Sequence, residues 1–392
     1  MKQAIILAAG EGRRLRPFTV TRPKSMLSIA DRPIIQYVIE ALAKNGIRDI
    51  ILVVGYQQEQ ISGYIGDGGR FGVEVRYVTQ EKQLGTAHAV LQARSIADSE
   101  FLVLQGNKVI SPDTIAAFIN VQPNAILVKN VPDPSRYGVV TVTDGRLKEI
   151  VEKPNNPHSQ IISAGIYAFN TEAFRYLEAQ LTIPDALMMM LRNGLGINTV
   201  ETTGMWADVV YPWDLLSLNG IMLRDIAQEY AGTIEQNVAI KGSVTIGKDT
   251  IIRQGTYISG PVVIGEGCDI GPDVCIFPAT SIGSNVVISP FSEIKNAVIE
   301  DDVHIGTGSI VQDSVIDKGC VVGPRFCASA EETEVRIDDE QHMVRMGIVM
   351  GEGCSISSNV TVQPGTIVGN YCQVKSQRLV GGGVIPDRSI LI

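Results

Sequence analysis

The chain has 392 residues, of which 45% are hydrophobic and 19% charged, and its formal net charge is −9. This length predicts about two to three domains, and the composition excludes wholesale disorder. The negative charge argues against bulk binding to nucleic acid or an anionic membrane, so an anionic ligand needs a local basic cluster. The sequence has no long apolar run and opens with no secretory signal, which predicts a cytoplasmic protein.

Short apolar runs alternate with helical spacing of apolar residues up to about residue 225. The runs predict strands at residues 4–7, 50–54, 73–78, 101–104 and 125–128, and the spaced stretches predict helices at 33–45, 59–65, 86–95 and 112–120. This alternation predicts an α/β domain with a mostly parallel sheet covered on both faces. Ligands of such sheets lie at the carboxyl ends of the strands.

A loop rich in glycine and arginine follows the first predicted strand. Gly10 and Gly12 allow a sharp turn that exposes backbone N–H groups to an anion. Five cations then follow without an intervening acid: Arg13, Arg14, Arg16, Arg22 and Lys24. Guanidinium and ammonium groups bind phosphate oxygens, so the loop predicts a phosphate site. The alternative interpretation is a solvated charged surface.

From residue 234 onward, aliphatic residues recur with a period of six. The repeat positions are Ile234, Ile240, Ile246, Ile252, Ile258, Ile264, Ile270, Ile276, Ile282, Ile288 and Ile294, then Ile299, Ile305, Val311, Ile316 and Val322, and finally Met350, Ile356, Val362, Val368, Val374 and Val380. A period of six fits neither a helix nor an alternating strand and is typical of a parallel β-helix. We expect residues 215–228 to be helical, 226–233 to be a linker, and 328–346, where the period breaks, to be an inserted loop or arm.

All six cysteines lie in this repeat region. Cys268, Cys320, Cys354 and Cys372 each fall four residues after a repeat aliphatic, where other repeats carry Val, Thr or Ser. This spacing predicts small side chains that fill the core. A zinc site would need close pairs of cysteines, and the sequence has none.

The segment LAAGEGRRLRPFTVTRPKSMLSIADRPIIQYVIEAL closely resembles the opening of the sugar-1-phosphate nucleotidylyltransferases. With the repeats, the whole chain resembles the bifunctional uridylyltransferase/acetyltransferases, their archaeal relatives and the glucose-1-phosphate thymidylyltransferases. The resemblance implies a Rossmann-like nucleotidyltransferase sheet in residues 1–225 and a left-handed parallel β-helix in residues 234–392. It also implies transfer of a nucleotidyl group from UTP or dTTP to glucose 1-phosphate or N-acetylglucosamine 1-phosphate, release of pyrophosphate, and a homotrimer formed through the β-helix.

The resemblance assigns roles to single residues. Arg14 would stabilise the leaving pyrophosphate, and Lys24 would bind phosphate. The residues expected to bind the nucleotide are Ala8, Gly10, Gly12, Gln80, Gln83, Gly85 and Thr86, and those expected to bind the sugar phosphate are Gly138, Glu152, Lys153 and Ser163. An alternative for Thr86 is that it caps the N-terminus of its helix.

The chain departs from the family pattern at several of these positions. Asn107 stands where the family has an aspartate that ligates Mg²⁺, and Asp208 corresponds to the second ligand, so we expect Mg²⁺ at these two residues with one carboxylate replaced by an amide. Ser163 replaces a sugar-binding asparagine.

These departures leave two hypotheses open. The chain is a weakened but active enzyme, or it is a catalytically impaired subunit that binds a nucleotide sugar and regulates. A purely structural scaffold would not explain the basic loop. Thr307 and Ala330 replace the histidine and asparagine that acetyl transfer uses in the relatives, so we expect no acetyltransferase activity.

Overall fold

The computed structural model describes residues 1–338 and 340–392. The chain forms two compact units, each with its own core. The first unit consists of Met1–Glu11, Pro23–Met26 and Ile34–Asp208, and the second consists of Gly12–Arg22, Leu27–Pro33 and Val209–Ile392. The loop after the first strand therefore belongs largely to the second unit. The boundaries expected from the sequence, at 225 and 234, stay a prediction.

The regular elements of the first unit begin with strand β1 in chain order. They are β1 (Gln3–Leu7), α1 (Ile34–Lys44), β2 (Asp49–Val54), α2 (Gln58–Ile65), β3 (Glu74–Thr79), α3 (Thr86–Gln92), β4 (Glu100–Gln105), β5 (Lys108–Ile110), α4 (Pro112–Ala116), β6 (Ala125–Asn130), β7 (Gly138–Thr143), β8 (Arg146–Glu152), β9 (Ile161–Asn170), α5 (Ala173–Glu178), α6 (Ile183–Arg192), β10 (Asn198–Glu201) and β11 (Trp206–Asp208). Short 3₁₀ turns lie at Lys24–Met26 and Gly69–Phe71.

The sheet of the first unit has the strand order β3-β2-β1-β4-β9-β6-β10-β8-β7. Strands β3, β2, β1 and β4 run parallel, as the sequence predicts for strands joined by helices. Strand β9 is antiparallel to both β4 and β6, and β7 and β8 form an antiparallel pair. The expectation of a mostly parallel sheet is therefore wrong for the part of the sheet that contains β7, β8 and β9. Strands β7 to β9 follow one another without the helices that a parallel crossover requires.

Both faces of this sheet are buried, as expected. On one face Ile6 and Leu52 pack with Val38 of α1. On the other, Ile5 and Val53 pack with α3, α5 and α6. Because successive side chains of a strand point to opposite faces, the continuous apolar run at residues 4–7 supplies both cores.

The regular elements of the second unit are mostly very short strands. They are Ser28–Ile29, Arg32–Pro33, the helix α7 (Asp214–Met222), Glu229–Tyr230, Thr233–Ile234, Ala239–Lys241, Val244–Ile246, Ile251–Ile252, Tyr257–Ser259, Val262–Ile264, Asp269–Ile270, Cys275–Ile276, Thr280–Ile282, Val287–Ile288, Glu293–Ile299, His304–Ile305, Ile310–Ile316, Val321–Val322, Cys327–Ala328, Glu331–Ile337, Glu340–Met346, Ile348–Met350, Ser355–Ile356, Thr361–Val362, Thr366–Val368, Gln373–Val374, Leu379–Val380, Gly383–Ile385 and Ile390–Leu391. Its 3₁₀ turns are Arg13–Leu15, Phe18–Val20 and Leu223–Asp225.

The repeat strands pair in parallel at a spacing of three hexapeptides. Val244 pairs with Val262, and Ile251 pairs with Asp269. The repeat aliphatics from Ile246 onward are buried in one continuous core, against which Ile234 and Ile240 also pack. One coil thus uses three hexapeptides, and the predicted parallel β-helix is confirmed; its left-handedness stays a prediction.

The cysteines fill this core as expected. All six are free thiols, and four are buried: Cys268, Cys320, Cys354 and Cys372. The thiol of Cys268 donates to the carbonyl oxygen of Gly283 at 3.1 Å, and that of Cys354 donates to Gly369 at 3.1 Å. These contacts tie one coil to the next.

The expected insertion at 328–346 is an antiparallel hairpin, which we call the arm. Its strands, Glu331–Ile337 and Glu340–Met346, pair along their whole length. Arg345 of the arm contacts Asp313 at 3.1 Å. Asp339, which lies within the expected insertion, is outside the described residues. Within residues 1–338 and 340–392, no helix has the length and apolar character that a membrane span requires.

Candidate active site

The loops after four parallel strands converge at one edge of the sheet in the first unit. The N–H of Ala8 donates to the carbonyl oxygen of Val53 at 2.8 Å, and the N–H of Gly106 donates to Leu7 at 2.8 Å. A Cβ added at Gly106 would lie 3.1 Å from Ile6 and 3.3 Å from Ala8, so little more than glycine fits there. Gly10 has open space around it and is exposed. This edge is where ligands of parallel sheets bind.

A small antiparallel ladder brings the two predicted metal ligands together. Strand β11 pairs with β5 so that Asp208 lies directly opposite Lys108. The amide nitrogen of Asn107 donates to Oδ1 of Asp208 at 2.8 Å. Lys24 approaches the same oxygen at 3.4 Å, and the Lys108 ammonium donates to Oδ2 at 2.7 Å. The pairing of Asn107 with Asp208 therefore agrees with the expectation, while Lys108 was missed.

The charge of Asp208 is set by its surroundings. Burial alone would raise the pKa of this carboxyl, but the ammonium groups of Lys108 and Lys24 outweigh burial and hold its pKa below the ordinary value. Asp208 is thus a largely buried carboxylate, 11% exposed, that carries its negative charge at neutral pH.

These side chains do not fit a protein-held divalent ion as they stand. Mg²⁺ requires oxygen ligands and prefers carboxylates, whereas the ammonium groups of Lys24 and Lys108 lie against the Asp208 carboxylate and would repel a second cation there. Across the described part of the chain, no three or more His, Cys, Asp or Glu side chains are grouped to hold a metal. What the cluster offers instead is two ammonium groups for phosphate oxygens.

Trp206 connects this cluster to the segments expected to bind the sugar phosphate. Its indole N–H donates to the carbonyl oxygen of Ala164 at 2.8 Å, and its ring lies 5.4 Å from that of Tyr137. The Lys108 ammonium lies 5.1 Å from the indole ring. Residues next to Ser163 and Gly138 therefore lie around the same indole as Lys108.

The expected sugar-binding residues lie in two places, along and just after the paired strands β7 and β8 and on strand β9. Gly138 pairs with Glu152 across β7 and β8, and a Cβ on Gly138 would lie 3.1 Å from the Glu152 carboxylate. Lys153 follows with its side chain exposed, and its N–H donates to Tyr137 at 3.0 Å. The hydroxyl of Ser163 lies 3.3 Å from that of Tyr167. Burial raises the pKa of Tyr167 to about 12, so its phenol stays protonated.

The expected base-reading segment is shaped by Gly85. Its φ is +142°, and a Cβ there would lie 2.2 Å from the carbonyl oxygen of Leu181. Gln80 is buried and donates to Gly85 at 3.1 Å, while its amide also lies 2.9 Å from a ring nitrogen of His88. Gln83 is exposed. Gln80 therefore shapes the loop, and Gln83 is free to contact a ligand.

The alternative that Thr86 caps its own helix is wrong. Gly85 holds the N-cap position, and Thr86 is the first helical residue. The Thr86 hydroxyl accepts a hydrogen bond from the N–H of Ile183 at 2.9 Å. Its contact is with a segment far away in sequence, which a local capping pattern does not reveal.

Two cations of the basic loop have partners inside the second unit. Arg14 lies 3.6 Å from Asp338 and 3.5 Å from Glu340 of the arm, and it is partly exposed. Arg22 is buried and paired with Asp317 and with Glu300. The inclusion of Arg22 in a phosphate cluster is therefore wrong, because it forms a buried structural ion pair. Gly12 has a left-handed conformation, and its carbonyl oxygen accepts from Thr19 at 2.8 Å.

Sequence comparisons place both parts of the chain beside known families. The family described as nucleotidyl transferase matches residues 3–223, and the family described as the GMPPB C-terminal domain matches residues 258–340. A bifunctional protein GlmU of Methanococcus maripaludis is 36% identical, and the match covers 99% of this chain and 95% of that protein. A glucose-1-phosphate thymidylyltransferase of Streptomyces antibioticus is 34% identical, with coverage of 62% and 72%.

A solved structure is similar over the first part of the chain. It comes from Bacillus anthracis and is described as a glucose-1-phosphate thymidylyltransferase in complex with sucrose. The TM-score is 0.53 at 28% identity, and the similarity covers 58% of this chain and 97% of that chain.

Proposed function

Because this chain belongs to the nucleotidyl transferase family, we propose that it transfers a nucleotidyl group from UTP or dTTP to a sugar 1-phosphate and releases pyrophosphate. The family expected from the sequence is confirmed by these matches. The proposed acceptor is glucose 1-phosphate or N-acetylglucosamine 1-phosphate. The observation that carries the proposal is the contact of Lys108 with the indole of Trp206, which joins the cluster of Lys24, Asn107, Lys108 and Asp208 to the two segments expected to bind the sugar phosphate.

In the proposed reaction, an oxygen of the sugar phosphate attacks the α-phosphorus of the nucleotide. The new bond joins that oxygen to phosphorus, and the bond from the α-phosphorus to the bridging oxygen breaks, so pyrophosphate leaves with the electron pair. Such chemistry depends on alignment of two polyanions and on stabilisation of charge. The ammonium groups of Lys24 and Lys108 would serve the second task.

The remaining residues would align the substrates. The exposed backbone of Gly10, beside Ala8, would approach the nucleotide phosphates. Gln83, Gly85 and Thr86 would read the base, and Glu152 and Lys153 would hold the sugar and its phosphate. We propose that Mg²⁺ enters as the counter-ion of the triphosphate, which itself supplies oxygen ligands. Arg14 would take part only when it exchanges its arm carboxylates for phosphate.

The test is pyrophosphate release by the full chain with UTP or dTTP and each sugar phosphate. We expect turnover by the wild-type chain and a fall in kcat of about 10²–10³-fold in Lys24→Met, since one electrostatic stabiliser is removed. Lys148→Met, at an exposed position of β8, is the matched control. If only Asn107→Asp turns over, the chain is instead a regulatory subunit that binds nucleotide sugar.

The homotrimer expected from the resemblance is part of the same proposal. Support comes from two outward-facing apolar side chains on one β-helix face, Val287 and Val321, which are 38% and 49% exposed and lie in register on either side of His304. Light scattering is expected to give three times the chain mass. Val321→Asp should reduce this mass, and a wild-type monomer would refute the trimer.

A further inference from the structure

Lys108 occupies an unusual position for a lysine. Its side chain is only 7% exposed, although ammonium groups are almost never buried without a partner. Because β5 pairs with β11, the ladder register fixes Lys108 opposite Asp208 and holds its ammonium 2.7 Å from Oδ2. The indole of Trp206, 5.1 Å away, provides a further favourable contact for a cation. The position is therefore fixed from two sides.

The charges of this cluster differ from those of a metal site built on two carboxylates. Two carboxylates and one divalent ion sum to zero, and without the ion they repel a polyanion. Here one carboxylate, Asp208, faces two ammonium groups, from Lys24 and Lys108, and the neutral amide of Asn107. The cluster carries a net charge of about +1 from its own side chains. It therefore attracts phosphate before any ion is bound.

We propose that the Lys108 ammonium takes the place of a protein-held divalent ion at Asp208 and presents a fixed positive charge to the nucleotide phosphates. Lys108 is thus a binding residue of the proposed site. The part that concerns phosphates rests on the proposed function, whereas the exclusion of an ion from Asp208 does not. The physical reason is repulsion between cations, because an ion bound at Oδ2 of Asp208 would lie close to the Lys108 ammonium, whose nitrogen is 2.7 Å from that oxygen.

The exclusion of the ion is tested with Mn²⁺ alone, followed by electron paramagnetic resonance of the free ion, on the full chain without nucleotide. We expect no bound ion that depends on Asp208 in the wild-type chain. The double variant Asn107→Asp/Lys108→Met removes the ammonium group and restores a second carboxylate, so it should bind one Mn²⁺ per chain. Lys148→Met is the control for loss of a lysine elsewhere.

Two results would overturn the exclusion. One is a wild-type site for Mn²⁺ that Asp208→Asn abolishes. The other is a correctly folded double variant that binds no Mn²⁺, since Lys108 would then not be what keeps the ion out. If the double variant does not fold, Lys108→Met/Asp208→Asn, which removes both buried charges, should fold and still bind no ion. In that case the comparison of wild-type chain and Asp208→Asn decides.

The role toward phosphate is tested by calorimetry with UTP in EDTA. We expect the wild-type chain to bind UTP without a metal, and Lys108→Met to bind it at least about tenfold more weakly, because a charge-assisted hydrogen bond is lost. Lys108→Arg keeps the charge and should recover part of the affinity. Metal-free binding that is equal in wild type and Lys108→Met would overturn this role. A wild-type chain that binds no nucleotide under any condition contradicts the proposed function, and the Mn²⁺ result then still decides the claim about the ion.

Discussion

The ion pair of Arg22 with Asp317 offers a sharp test, because the basic loop predicts a phosphate ligand at Arg22 and the structure gives it a buried partner. The side chain of Arg22 is 8% exposed and that of Asp317 is 0% exposed. Glu300 lies 3.3 Å from the same guanidinium. Arg22→Leu removes the cation and leaves two acids beside it without their partner.

The expected cost follows from desolvation. Removal of one member of a buried pair destabilises a protein by about 3–5 kcal/mol, since the remaining charge is buried without compensation. Both side chains lie below one tenth exposure, so solvent screening does not reduce this figure much. When Asp317 is also replaced by leucine, most of the loss should be recovered, because two apolar groups of suitable size are tolerated where a single charge is not. Arg16→Leu, at an exposed position of the same loop, should change stability by less than about 0.5 kcal/mol.

The assay is urea unfolding followed by tryptophan fluorescence. The chain has two tryptophans, Trp206 in the first unit and Trp213 in the second. In a Trp206→Phe background, emission reports the unit that contains Arg22, which matters because two units need not unfold in one transition. If Arg22→Leu is as stable as its parent but binds UTP at least tenfold more weakly, the ion-pair argument is refuted and Arg22 belongs to the phosphate site.

Three further outcomes follow from the described contacts. Gly85→Ala should lower nucleotide affinity at least about tenfold and reduce the free energy of unfolding by about 1–3 kcal/mol, because the added Cβ meets the carbonyl oxygen of Leu181 and φ is +142°. Gly63→Ala, with open space around its Cβ, is the control. Calorimetry that finds the two variants alike would contradict the argument. The thiols of Cys268, Cys320, Cys354 and Cys372 should not react with a thiol reagent at pH 8 in the folded protein, because all four are buried. Burial also raises the pKa of Cys268 and Cys372, so their reactive thiolates form only at higher pH. Rapid labelling of all six thiols without denaturant would contradict this prediction. With acetyl-CoA and glucosamine 1-phosphate, no free CoA should be released, because Thr307 and Ala330 replace the histidine and asparagine that the resemblance assigns to acetyl transfer. Release of CoA above the rate without protein would overturn this expectation.

Local patterns in the sequence account for much of the fold. The six-residue period determines the β-helix, because each repeat aliphatic must be buried, and coils of three hexapeptides stack them in one core. The same pattern explains why Cys268 and Cys354 fill the core. In the first unit, the apolar runs predict β1 and β2 to within one residue at their start, since continuous burial on both faces leaves a clear signal.

The loop after β1 shows where a local pattern fails. Five cations in a short stretch look alike in the sequence, yet Arg14 contacts the arm, Arg22 is buried against Asp317, and Lys24 faces Asp208. Each partner is distant in the chain; Arg22 and Asp317 are 295 residues apart. Charge composition determines that anions are attracted, whereas the choice of partner depends on which segments the tertiary fold brings together.

The repeat architecture and the parallel strands thus follow from the amino-acid sequence alone, because periodicity is a local property, whereas residues 107 and 208 were indicated as a pair by the resemblance to a known family. Three features depend on long-range contacts instead: Lys108 lies opposite Asp208, β9 runs antiparallel, and Trp206 connects the sugar-binding segments with Lys108. The physical reason is strand register. A shift of one residue between β5 and β11 would turn Lys108 to the other face, and nothing within a single strand specifies the register of its partner.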